Sequence, residues 1–279
     1  MRIWHQSFTD LQKFPTYAAT LQRHADDAVG HGTVVVHGLL PGTYPEDVPP
    51  MDVNRYPYIK ALHELQLCEA VLTADELGYD AIALACFFDP GLQLLRSLTD
   101  VPVLGLAETC MLAACSLGRR FATVSMSPFQ RELTEQLASD YGLADRLAGS
   151  IELHPRISLF DLERDDQAVT AIAQSFRDGC GEALQRGAEV IIPGDGVLNE
   201  FVLRHGLFDV EGAVVMDALG VLLHQAVAAA DTRAATGLTV SRRGRYARPP
   251  DDVLNHARQV AGRNSVAEGR FSGPGYVGV

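Results

Sequence analysis

A chain of 279 residues, 47% apolar and 21% charged, is long enough for one large domain or two modest lobes with a real core. No apolar run reaches the ~18 residues that span a membrane, and a net charge of −12 disfavours nucleic-acid binding. The opening run Met1-Arg2-Ile3-Trp4-His5-Gln6 has neither a long apolar core nor a small-residue cleavage site, which points to the cytoplasm.

In chain order, the first half reads as strand Arg2–Gln6, helix Tyr17–Val29, strand Thr33–His37, a Pro-rich stretch from Pro41 to Pro57, helix Tyr58–Leu77, strands Asp80–Ala85 and Val101–Leu106, and helix Thr109–Leu117. The second half repeats the alternation. It has strand Phe121–Ser125, helix Phe129–Tyr141, strand Ser150–His154, helix Gln167–Gln185, strands Glu189–Ile192 and Ala213–Val215, and helix Ala218–Ala230. Strands alternating with helices predict an α/β fold of parallel sheets flanked by helices.

The halves also match residue by residue. At a constant offset of 109, Gly78 falls on Gly187, Asp80 on Glu189, Ile82 on Ile191, Cys86 on Asp195 and Glu108 on Asp217. Upstream, Thr33–His37 resembles Ser150–His154, and Arg2 to Ser7 resembles Arg120 to Ser125. Internal duplication into two pseudo-symmetric lobes follows. The first lobe comprises 1–106 plus about 213–235, the second 107–212, and 236–279 is an Arg-rich extension. Because ligands bind beyond the carboxyl ends of parallel strands, Cys86 and Asp195 are expected to confront each other across an interlobe cleft.

Beyond Leu238, seven arginines (242, 243, 245, 248, 258, 263, 270) face only Asp251, Asp252 and Glu268, so a tail of +4 follows a body of −16. Such a tail is expected to fold back on the acidic body or on a neighbouring subunit, and with Gly273-Pro274-Gly275-Tyr276 it suggests a homo-oligomer. The five cysteines (68, 86, 110, 115, 180) show no metal-knuckle spacing, so neither structural zinc nor a disulfide framework is expected. All but Cys86 sit among alanines and leucines in helical patterns, where cysteine is a small apolar residue.

The run Cys86-Phe87-Phe88-Asp89-Pro90-Gly91-Leu92 resembles the first cysteine motif of hydantoin racemases, usually Cys-Phe-Gly-Asp-Pro-Gly. Gly78-Tyr79-Asp80-Ala81 and Val101-Pro102-Val103-Leu104-Gly105-Leu106-Ala107-Glu108 fit the same pattern, and the resemblance extends over about residues 1–235. The chain is thus similar to the aspartate/glutamate/hydantoin racemase superfamily, which also contains maleate isomerases and arylmalonate decarboxylases. That resemblance implies two pseudo-symmetric α/β lobes, no cofactor, no metal, and a paired-cysteine site between the lobes. Three departures stand out. Asp195, in Pro193-Gly194-Asp195-Gly196, replaces the second cysteine; Phe88 replaces a glycine; and His5-Gln6-Ser7-Phe8-Thr9 replaces an Asn-Pro-Asn-like turn.

Racemisation needs a base on one face of a carbon and an acid on the other. Here the implied pair is Cys86 and Asp195, acting on a small carbon acid that is hydantoin- or amino-acid-like. Free thiol and carboxyl groups differ by roughly four pKa units, and burial beside Phe87 and Phe88 would bring Asp195 closer to Cys86. The amides of Phe87 and Gly196 and the hydroxyls of Ser7, Thr109, Ser125 and Ser127 are the expected substrate-binding groups, with Phe88 as a pocket wall. Other chemistries stay open: a cofactor-free decarboxylase or other lyase, a Cys86-nucleophile hydrolase, or a non-catalytic small-ligand binding protein. Cys86 also reads as a buried thiol, and Asp195 as a turn or helix cap. Glu108 and Asp217 read as helix caps, and His37 and His154 as core or surface residues. Tyr56 and Tyr58 read as a lid or as structural loop.

Overall fold

A computed structural model describes residues 1–154 and 166–262. The first sheet contains β1 (Arg2–Gln6), β2 (Thr33–His37), β3 (Ala81–Leu84) and β4 (Val103–Gly105), all parallel and ordered β2-β1-β3-β4. The second contains β5 (Phe121–Ser125), β6 (Leu147–Glu152), β7 (Val190–Pro193), β8 (Asp209–Val210) and β9 (Ala213–Val215), ordered β6-β5-β7-β9-β8. Apart from β8, an antiparallel edge strand, the second order repeats the first.

The helices are α1 (Pro15–Ala28), α2 (Pro50–Asn54), α3 (Pro57–Glu76), α4 (Leu92–Leu98), α5 (Leu106–Leu117), α6 (Pro128–Asp140), α7 (Asp166–Gln185), α8 (Gly196–Arg204), α9 (Ala218–Thr236) and α10 (Asp251–Val260). Several starts are written in the sequence. Proline holds the first position of α1, α3 and α6, where its missing N–H costs nothing. Ser127, Asp195 and Asp217 cap α6, α8 and α9 with their own side chains.

Strand β3 sorts the core. Ala81 and Ala83 join the cluster shared with α1, α5, α9 and the second sheet, whereas Ile82 and Leu84 point into a separate cluster with Trp4, Leu67, Leu95 and Val103. Successive strand residues face opposite sides. The small alanines therefore let interlobe helices approach, and the larger residues fill the outer layer. Because the first cluster runs through both sheets, the lobes share one core rather than meeting across a wet seam.

The duplication holds in register for the central strands and slips at two others. Gln6 O accepts from the Ala85 N–H and Val124 O from the Gly194 N–H, which preserves the expected offsets of 118 and 109. The match of His37 with His154 is corrected. His37 pairs with Gln6 but Ile151 pairs with Val124, so the counterpart of His37 is Ile151, three residues before His154. The match of Glu108 with Asp217 shifts likewise. Ile82 pairs with Val103 and Ile191 with Val215, which places Gly105 opposite Asp217. Gly105 is the N-cap residue of α5, so Glu108 lies inside the helix and is no cap.

The lobe boundary is also corrected. Strand 213–215 belongs to the second sheet through β7, and only the helix after it returns to the first lobe, against α1, β3, β4 and α5. Among the described residues, the tail folds onto the chain's own body. Arg242 bonds Asp100 and the Arg96 carbonyl, Arg248 pairs with Asp100, and Arg258 pairs with Glu69. Arg263, Arg270 and the stretch 273–276 lie outside the described residues, as does 155–165. No described helix is long and apolar enough to cross a membrane.

Candidate active site

Beyond the carboxyl ends of β1, β3 and β7 lies a cavity of about 310 Å³. Cys86 comes from the end of β3, Asp195, Gly196 and Val197 from the end of β7, and Ser7, Phe8 and Thr9 from the end of β1. Tyr17 of α1 and Met126 and Ser127 before α6 close its sides, and Pro49 to Asp52 with Asn54 form the wall from α2. The two lobes meet closely here, since a Cβ on Gly196 would lie 3.8 Å from the Ala85 carbonyl oxygen.

Asp195 is held at both carboxylate oxygens. Its Oδ1 accepts the Val197 N–H at 2.7 Å as the cap of α8, and its Oδ2 accepts from Gln130 Nε2 at 3.1 Å. Burial pushes its carboxyl up to about 6, against the opposing pull of the Val197 and Leu198 N–H groups and of Gln130. Gln130 is itself completely buried, with its Oε1 accepting from the Met126 N–H and its Nε2 against Met51 Sδ at 3.2 Å. Burial pushes the Cys86 thiol well above its ordinary value. The Phe88 N–H pulls it back, and the charges of Asp195 and Asp89 add to the rise. The resting pair is therefore a protonated thiol beside a carboxylate that ionises near pH 6.

Of the binding residues expected from sequence, Ser7, Phe88, Ser127 and Gly196 line this cavity, and three others do not. Phe87 is buried in the shared core and is not among the residues that line the cavity. Thr109 is buried within α5. The Ser125 hydroxyl is taken by Ser150 Oγ at 2.6 Å. Ser127 lines the cavity while also capping α6. Tyr56 and Tyr58 are exposed, and the α2 wall beside them forms that side instead.

The remaining motif residue, Asp89, works as a clamp. It sits at φ +44°, a left-handed conformation that aspartate tolerates better than most residues. Its carboxylate accepts the Ala107 and Glu108 N–H groups at 3.0 and 2.8 Å, which caps α5 from outside. It also accepts the Tyr141 hydroxyl of the second lobe at 2.7 Å. Burial raises its carboxyl to about 6, with those three donors pulling the other way. Gly105 makes this possible, because a Cβ there would lie 2.5 Å from the Asp89 carboxyl carbon.

Behind the cavity, His24 Nδ1 meets Glu200 Oε1 at 2.6 Å and His24 Nε2 meets Asp217 Oδ2 at 3.0 Å. Burial opposes charge on this imidazole, but bonds to Asp217 and Glu200 outweigh it and raise the value to about 10. Asn199 completes the cluster, donating to Asp217 Oδ1 and accepting from the Ala218 N–H. His37 stacks on Trp4 at 3.4 Å and His154 is exposed. Sequence reasoning passed over Tyr17, Asn54, Met51 and Gln130. Tyr17 and Gln130 read locally as ordinary helical residues and Met51 and Asn54 as part of the Pro-rich stretch, and only the tertiary fold turns them toward the site. No group of His, Cys, Asp and Glu able to hold a metal occurs among the described residues.

Residues 20–226 match the Asp/Glu/Hydantoin racemase family model. A hydantoin racemase of Pseudomonas sp. (strain NS671) is 32% identical over 152 residues, 54% of this chain and 59% of that protein. A hydantoin racemase of Paenarthrobacter aurescens is 31% identical over 194 residues, 69% of this chain and 78% of the relative. In architecture the chain is similar to an allantoin racemase from Klebsiella pneumoniae, with a TM-score of 0.72, 22% identity, and 90% and 94% of the two chains covered.

Proposed function

The chain belongs to the Asp/Glu/hydantoin racemase family, and from that premise we propose that it racemises a small, neutral cyclic amide of the hydantoin class. In this reading Cys86 and Asp195 exchange protons with one carbon from opposite lobes. The observation that carries it is their shared cavity, each at the end of the matching strand of its lobe.

The carboxylate of Asp195, ionised above about pH 6, takes the hydrogen next to the ring carbonyl as a proton. The C–H electron pair moves into the ring as an enolate, and the Cys86 thiol returns a proton to the opposite face. The mirror-image substrate runs the same path backwards, through a protonated Asp195 and a Cys86 thiolate. Burial raises both groups, Asp195 to about 6 and the Cys86 thiol by more, so the gap between them is not narrowed as expected from the sequence and the pair rests as carboxylate and thiol.

Cavity chemistry supports a neutral substrate. Its lining contains no Lys, Arg or His among the described residues, and its charged members are Asp52 and Asp195. A free amino-acid or malonate carboxylate would enter this apolar space beside like charge without a counter-ion, at a cost of several kcal/mol by order of magnitude. The same point weighs against a decarboxylase. The upward-held thiol weighs against a Cys86 nucleophile, since the thiolate is the reactive form.

The test is incubation of single enantiomers of 5-substituted hydantoins in deuterated water. Deuterium entering at ring carbon 5 together with loss of optical rotation is expected, and both should vanish in Cys86→Ala. Retention of hydrogen at that carbon in every hydantoin tried would refute the proposal.

A further inference from the structure

Three polar side chains of the cavity are already engaged within the protein. Asn54 bonds Tyr44 and His63, Ser127 caps α6, and Asp195 is held by Val197 and Gln130. Tyr17 differs. It is only 6% exposed, it lines the cavity, and its hydroxyl has no hydrogen-bond partner among the described residues. Its oxygen is not among the fully buried unpartnered atoms, so it opens to the cavity, where a ligand atom or a water can take its hydrogen bond.

That place is specific. The phenol oxygen lies 2.9 Å from where a Cβ on Gly196 would be, and the Ala85 carbonyl oxygen is 3.8 Å from the same point. The hydroxyl is thus wedged where the residues beside Cys86 and Asp195 approach each other. Gly196 is the residue that leaves room for it. Its ring is fixed in the shared core, so the oxygen is presented rigidly rather than on a mobile chain.

Resting on the racemase reading, we infer that Tyr17 is a further catalytic residue, whose O–H donates a hydrogen bond to the carbonyl oxygen that becomes the enolate oxygen. When the base removes the ring hydrogen as a proton, the C–H pair forms the C=C bond and the carbonyl π pair moves onto that oxygen. Tyr17 stabilises the new charge without giving up its proton. Reprotonation of the carbon returns both electron pairs. Donation requires a neutral phenol at working pH. Burial, followed by the charges of Asp195, Glu200 and Cys86, holds Tyr17 well above the ordinary tyrosine value. A donor preorganised in a water-poor site strengthens its bond most in the transition state, so its loss should appear in kcat more than in KM.

The experiment compares wild type with Tyr17→Phe on 5-benzylhydantoin in deuterated water, following exchange, optical rotation and thermal unfolding. Tyr17→Phe should lower kcat ~100-fold, the scale of a single lost oxyanion donor, with KM changed less than about threefold and the unfolding midpoint preserved. A second readout avoids turnover. A 5-arylidenehydantoin, planar at ring carbon 5 like the enolate, should bind wild type at least ~10-fold more tightly than the variant by calorimetry. Wild-type exchange with an equally active Tyr17→Phe, or equal affinity for the planar probe, overturns the Tyr17 assignment alone. Absence of exchange in the wild type itself overturns the racemase reading, and the Tyr17 assignment with it.

Discussion

The two lobes repeat one strand order yet give matching positions different work. In the second lobe, Asp195 ends the strand and caps the following helix, which starts at the next residue. In the first, Cys86 opens a tight turn closed by the Asp89 N–H to the Cys86 carbonyl, and α4 begins only at Leu92. The thiol is therefore free of capping duty, and its neighbour Asp89 instead caps α5 from a distance. The second lobe needs no such reach, because Asp217 caps α9 with its own carboxylate. Duplication kept the topology, and the polar roles were redistributed around it.

The sharpest way to break the comparison is at the two strand ends. Cys86→Ala should lower kcat ~1,000-fold or more, within the range for a lost general acid or base. Asp195→Cys makes the lobes chemically alike and should keep more activity than Asp195→Ala, measured as racemisation rate. Equal losses in both Asp195 variants would mean that the carboxylate serves only the helix cap. In the wild type, kcat/KM should rise with an apparent pKa near 6 as Asp195 ionises. It should then stay level into the alkaline range, because the thiol remains protonated.

Next comes the buried cluster that joins α1 of the first lobe to α8 of the second. His24→Leu leaves Glu200 and Asp217 without their cation, and removing one partner of a buried pair costs about 3–5 kcal/mol. Denaturant unfolding at pH 6 should show this gap. Because the folded His24 value of about 10 exceeds the ordinary ~6.5, its contribution is full below ~6.5 and fades as pH rises through 10. The gap should narrow accordingly, and one that stays constant to pH 10 would place the stabilisation in packing instead of charge.

How far the sequence could be read follows from the range of each interaction. Period-two strands, helical spacing and the offset of 109 are local or self-similar signals, and they located the strands around Cys86 and Asp195. Register is a pairing between distant strands, so the true matches of His37 with Ile151 and of Asp217 with Gly105 carry no local signal in the chain. Short helices such as Pro50–Asn54 and Gly196–Arg204 are held largely by their surroundings and carry little periodic signal. The Ser125 hydroxyl was expected in the cavity and faces Ser150 instead, because one strand position decides which side of the sheet it joins.

A smaller effect tests the capping contrast directly. Asp89→Ala removes the remote cap of α5 and the tie to Tyr141, with an expected loss of about 2–3 kcal/mol. Adding Gly105→Asp in that background fills the freed space with the arrangement of the second lobe. It should recover about 1 kcal/mol, the scale of an aspartate N-cap. No recovery would mean that the α5 start needs the glycine backbone for itself.

The smallest change should come from the tail, which has no counterpart in the repeat. Arg242 donates to Asp100 Oδ1 at 2.9 Å and to the Arg96 and Tyr246 carbonyls at 3.0 and 3.1 Å, which staples the segment after α9 to the first lobe. Asp100 is close to half exposed, so water and salt screen the pair and Arg242→Ala should cost about 1 kcal/mol or less. The Asp100 carboxyl is held below its ordinary value by the Arg242 bond, so this contribution is present above pH ~4 and lost as pH falls through the folded value. Proteolysis after Gly237 should accelerate in Arg242→Ala at pH 7. Racemisation should stay within about twofold of wild type, since no described tail residue lines the cavity. A large loss of rate would instead couple the tail to the lobes that hold Cys86 and Asp195.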